Sequence, residues 1–112
     1  MAGRRKMTVR YEDSTESATI YMALDLGRKR WMVGFLLPGD RDAHLYQIAG
    51  GDLDGLLALI ARQRQKAGGG CVPVASCYEA GRDGFWLDRW LRDRGIDNRV
   101  LDPASIEVPR RG

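Results

Sequence analysis

The sequence predicts an α/β fold built on a mixed five-stranded sheet, and three observations predict it. Short apolar runs recur five times along the chain, and two stretches with apolar residues at helical spacing separate the last three of them. The clusters Pro38-Gly39-Asp40, Gly50-Gly51-Asp52 and Gly68-Gly69-Gly70 punctuate the joins. A chain of 112 residues with 44% hydrophobic and 29% charged residues can bury one core and is too short for two ordinary domains.

Residues 1–18 mix Arg4, Arg5, Lys6 and Arg10 with Glu12, Asp13 and Glu16 without apolar periodicity, so a mobile arm is expected before a folded unit over residues 19–112. Residues 19–25 are nearly all apolar until Asp25, the pattern of a central strand covered on both faces. The turn Leu26-Gly27-Arg28-Lys29-Arg30 leads into a second strand over residues 31–37, and so short a connection implies an antiparallel hairpin. Residues 43–48 alternate, with His44, Tyr46 and Ile48 on one face of a third strand.

Asp52 is placed to cap a helix carrying Leu53, Leu56, Leu57 and Ile60, with Arg62, Arg64 and Lys66 loading its carboxyl-terminal half. A fourth strand is expected over residues 72–78. A second helix starting near Asp83 should carry an apolar stripe of Phe85, Trp86, Leu87, Trp90 and Leu91, with Gly95 and Ile96 closing its end. Residues 99–102 form a short fifth strand, after which Asp102 and Pro103 read as the N-cap and first residue of another helix. Two strand-helix-strand crossovers require strands one, four and five to run parallel. That is the order of a ribonuclease H-like fold.

Several function classes are excluded. The most apolar stretch, residues 31–37, contains Gly34 and is too short to span a bilayer, and no apolar run follows the basic amino terminus, so a cytoplasmic, non-membrane protein is expected. One histidine and two cysteines, Cys71 and Cys77, give no zinc-binding spacing, and the thiols are expected to be buried and free. A net charge of +3 is compatible with a polyanionic partner without requiring one.

Three acids stand at equivalent places: Asp25 ends the first strand, Glu79 the fourth and Asp102 the fifth. Neighbouring strand ends lie about 4.8 Å apart, and open sheets bind ligands at that edge. Taken singly, each acid has a structural explanation, Asp102 as a helix cap and the others as solvated strand ends. Together they point to a metal site, because clustered carboxylates repel unless cations neutralise them, and an all-oxygen donor set suits Mg2+ or Mn2+. Two such ions roughly 4 Å apart can activate a water or 3′-hydroxyl and stabilise a leaving oxygen in phosphodiester cleavage. Arg28, Lys29 and Arg30 follow Asp25 and could hold phosphates, as could Arg82 after Glu79. The tryptophans Trp31, Trp86 and Trp90 are expected in the core.

The segments Ala23-Leu24-Asp25-Leu26-Gly27, Cys77-Tyr78-Glu79-Ala80-Gly81-Arg82-Asp83-Gly84-Phe85-Trp86-Leu87 and Gly95-Ile96-Asp97-Asn98-Arg99-Val100-Leu101-Asp102-Pro103-Ala104-Ser105-Ile106-Glu107-Val108 resemble the amino-terminal, RuvC-like domain of the DEDD transposases, the one-hundred-and-ten family of bacterial insertion sequences. The resemblance implies a nuclease domain with a tetrad of three aspartates and one glutamate, whose first three positions match Asp25, Glu79 and Asp102 in order. It implies DNA as substrate, transposition by cutting and rejoining, an element-encoded guide RNA in some members, and association with full-length transposase. Members of the family also carry a fourth acid and a second domain with a nucleophilic serine, neither of which occurs in these 112 residues. The chain is therefore expected to be a truncated copy or a fragment, ending before the last helix of the domain and inactive alone. The alternative is a remnant that binds nucleic acid or transposase without chemistry. A third reading, an actin-like ATPase lobe, rests on Asp25-Leu26-Gly27, which resembles an Asp-x-Gly phosphate turn; but Arg28-Lys29-Arg30 follows where a small hydroxyl residue would help hold phosphates.

Overall fold

The computed structural model describes residues 18–81 and 85–101. Its strands are β1 (Ile20–Leu26), β2 (Arg30–Leu36), β3 (His44–Ala49), β4 (Val74–Glu79) and β5 (Asp97–Leu101), and its helices are α1 (Leu53–Ala67) and α2 (Trp86–Asp93). The five strands form one sheet in the order β3-β2-β1-β4-β5. β2 is antiparallel to β1 and to β3, whereas β4 is parallel to β1 and to β5. This mixed sheet with its flanking helices is the ribonuclease H-like α/β architecture expected from the element order.

The ends of the helices follow from side-chain chemistry. Asp52 accepts a hydrogen bond from the Gly55 amide at 2.9 Å, relieving one of the unpaired donors at the start of α1. At the end of α2 the Ile96 amide donates to the Leu91 carbonyl and the Gly95 amide to the Arg92 carbonyl, the paired bonds of a Schellman cap. That cap needs a residue with positive φ, and Gly95 supplies it at 78°.

Strand boundaries moved where local chemistry outweighed apolar pattern. β4 begins at Val74 and not at residue 72, because the Val72 amide turns back to the Gly69 carbonyl and Pro73 has no amide to donate. β5 begins at Asp97, two residues early, since the α2 cap releases the chain in extended form at Ile96. The helix expected after Asp102 lies outside the described residues.

Alternation along β1 decides where the core lies. Ile20, Met22 and Leu24 are buried while Tyr21, Ala23 and Asp25 are exposed. The buried set joins Trp31, Val33, Phe35, Val74 and Tyr78 from the sheet, Leu56 and Ile60 from α1, and Leu87 and Leu91 from α2. Both helices therefore cover the same face; full burial of a side chain such as Leu56 contributes about 2 kcal/mol. β1 was expected to be covered on both faces, but among the described residues its second face is open. Tyr21 is 42% exposed there, and a groove of about 790 Å³ runs across that face between Thr19 and Asp25.

Three further expectations change. Cys71 is exposed and Cys77 half-buried, so both thiols are free but neither is a core residue. Trp31 is buried as expected and Trp90 partly so, whereas Trp86 is 41% exposed. The fully buried residues of α2 are Leu87 and Leu91, one turn apart; Trp86 stands about 100° round the helix from Leu87, and Phe85 precedes the helix as its N-cap. Gln63, although polar, is fully buried; its Nε2 donates to the Tyr46 hydroxyl at 3.2 Å, while its Oε1 has no partner among the described residues.

Candidate metal and nucleic-acid site

Asp25 and Glu79 come together by strand register. β1 and β4 run parallel with Leu24 opposite Tyr78, so the next residue on each strand, Asp25 and Glu79, occupies the equivalent position. Leu24 and Tyr78 both point into the core, and the alternation of a strand sends Asp25 and Glu79 to the open face. Asp25 is one residue inside β1, not at its end, since β1 continues to Leu26 paired with Trp31. This places its carboxylate on the sheet surface at the mouth of the open groove.

Neither carboxylate has a hydrogen-bond or ion-pair partner among the described residues, and both side chains are exposed. Two unneutralised carboxylates on neighbouring strands repel, and a hard divalent cation relieves that repulsion with oxygen ligands alone. The donor set present therefore fits Mg2+ or Mn2+. Among the described residues no three His, Cys, Asp or Glu side chains form a metal-binding group. Asp102, expected to complete the set, lies outside the described residues; it directly follows Leu101, whose register partner is Glu79.

The cationic turn stands at the same edge. Arg28, Lys29 and Arg30 are exposed; the first two lie in the connection that follows β1, and Arg30 opens β2. The turn is held by backbone bonds: the Gly27 amide donates to the Arg30 carbonyl at 3.1 Å, and the Gly50 amide donates to the Lys29 carbonyl at 2.8 Å. A Cβ on Gly27 would stand 2.6 Å from the Arg30 oxygen, and one on Gly50 would stand 2.8 Å from the Arg28 oxygen. Glycine at both positions is what permits this close packing. Arg82 lies outside the described residues.

Sequence reasoning missed one cation. Arg99 pairs in register with Cys77 and lines the open groove on the face that carries Glu79, two residues further along β4. Its neighbour Asp97 lies 3.7 Å away. The signal was present in the alternation of residues 97–101, but starting β5 at residue 99 hid it.

No family model matches the sequence. A Sinorhizobium fredii protein named "Putative transposase y4rJ" is 38% identical over 96 residues, which make up 82% of this chain and 24% of that protein. The chain thus spans about a quarter of the length of the relative it matches. No helix among the described residues is long and apolar enough to cross a membrane. Over most of its length, then, this ribonuclease H-like chain is similar to part of a protein named as a transposase.

Proposed function

We propose that this chain is the amino-terminal, RuvC-like part of a DNA transposase of the DEDD type, in which Asp25, Glu79 and Asp102 hold Mg2+ or Mn2+ for phosphodiester chemistry on DNA. The observation that carries the reading is the side-by-side placement of Asp25 and Glu79, unpaired, on the open face of parallel neighbouring strands. The 38% identity to a protein named as a transposase supports the DNA substrate. The bound cation would supply charge neutralisation and activation of the attacking oxygen. The chain's own residues hold the cation and, through Arg28, Lys29 and Arg30, grip the phosphate backbone beside it.

Calorimetric titration with Mn2+ tests the site. Wild type is expected to bind saturably and Asp25→Asn about 10-fold more weakly, a loss typical of disturbing a metal site. Asp25 is exposed and takes part in no core contact, so the melting temperature should not change. Equal affinity in the two proteins would sink the assignment.

A second reading, a nucleic-acid-binding remnant without chemistry, is favoured by the rigid cationic turn, which needs no metal to hold phosphates. It predicts DNA binding that is indifferent to Mn2+ and to Asp25→Asn.

A further inference from the structure

The start of α2 breaks two local rules at once. Phe85 stands at its N-cap, where serine, threonine or aspartate would relieve an unpaired amide, and makes no side-chain capping bond. Phe85 is also 63% exposed, and Trp86, the next residue, 41% exposed. Single apolar side chains scattered over a surface are ordinary, but two adjacent aromatic rings left in water forgo much of the burial that such large side chains offer. Departures of this kind from local consistency concentrate at functional sites.

Packing within the chain leaves the pair turned outward. Leu87 and Leu91 take the inner side of α2, and Asp88 and Arg92 are engaged with Asn98 of β5. Trp90 lies one turn after Trp86, but it packs partly against the core, and the Arg94 guanidinium lies over its ring at 4.1 Å from the centroid. Phe85 and Trp86 are thus the aromatic side chains that this element presents at the surface.

Topology puts them at the edge of the candidate site. β4 and β5 run parallel, so the helix that joins them begins at the edge where β4 ends with Glu79. Asp25 and the turn carrying Arg28 and Lys29 stand at the same edge, because β1 is parallel to β4. The acids lie on the open side of that edge and the aromatic pair on the helix-covered side. A base can stack on a protein ring only when its own face is not covered by neighbouring bases, as it is inside a duplex.

We propose that Phe85 and Trp86 form a stacking surface for unpaired bases, so that the substrate of this edge is DNA that is single-stranded or opened there. The proposal rests on the nucleic-acid half of the reading above and not on its metal half. Aromatic side chains also anchor protein interfaces. The cationic turn at the same edge and the similarity to a protein named as a transposase favour nucleic acid.

The test titrates the full chain with a short oligo(dT) strand and with a duplex of equal length, in the absence of divalent metal, by fluorescence anisotropy. Wild type should bind the single strand more tightly than the duplex. Phe85→Ala and Trp86→Ala should each weaken single-strand binding about 10-fold, while duplex affinity changes by less than about 2-fold. The strand should also quench tryptophan emission. Trp86→Phe keeps an aromatic plane, so it should retain affinity while losing most of the quenching; this variant decides the matter if an alanine variant does not fold. Single-strand affinity unchanged in both alanine variants, equal losses on single strand and duplex, or no binding of oligo(dT) by wild type would overturn the proposal. So would alanine variants that bind DNA normally but lose a dimer in sedimentation, an outcome that assigns the surface to a second copy of the chain. Mn2+ enters none of these titrations: if its binding is absent, or unaffected by Asp25→Asn, the metal reading fails and the stacking result stands.

Discussion

At the scale of single residues, Asp88 illustrates how one carboxylate couples folding to pH. The hydrogen bond from Asn98, and then that from Arg92, hold its carboxyl below the usual carboxylate range. A depressed native value means that the stabilisation is fully present above the ordinary aspartate value of about 3.9 and disappears as pH falls through the lower native value. Asp88→Asn removes the titration. Thermal melts from pH 7 downward should therefore show wild type ahead of Asp88→Asn near neutrality, with the gap closing below about pH 4. A gap independent of pH would show that the charge of Asp88 does not matter.

At the scale of elements, glycines govern the turn beside the candidate site and the cap that leads into β5, by different physics. At Gly95 a Cβ would meet nothing within 4 Å, so Gly95→Ala incurs only the left-handed backbone penalty, about 1 kcal/mol. At Gly27 the Cβ would collide with the Arg30 carbonyl, and the turn itself must open, which should cost about 2 kcal/mol. Urea melts should rank the variants in that order. Because the Gly27 turn carries Arg28, Lys29 and Arg30, Gly27→Ala should also weaken DNA binding while Gly95→Ala should not. The edge strand β5 adds a further point: it is short and presents Asp97 and Arg99, features that discourage pairing with strands of other molecules.

At the scale of the whole molecule, the net charge of +3 understates how the charge is arranged. The described cations proposed to contact DNA stand in one turn at one edge of the sheet, beside two acids that would repel DNA unless a cation intervenes. Fluorescence anisotropy against salt should give a log–log slope that becomes shallower by about 1 for each phosphate-contacting residue removed from Arg28, Lys29 and Arg30. An unchanged slope in the triple Gln variant would move the nucleic-acid interface elsewhere.

The sequence by itself determined the order of elements, the direction of the strands and the caps at Asp52 and Gly95, because each is written in local pattern: apolar period, turn residues, a capping oxygen, a residue tolerant of positive φ. It also brought Asp25 and Glu79 to one sheet edge, since two parallel crossovers leave no other arrangement. Tertiary structure alone decided which face of the sheet the helices cover, that Trp86 stays partly exposed, and that Asn98 and not an apolar residue is the buried anchor of β5. Those outcomes depend on contacts between residues far apart in the chain. Apolar side chains on β1 read alike whether one face or both are covered, and a buried asparagine reads as surface until its partners Ser76 and Asp88 are seen around it.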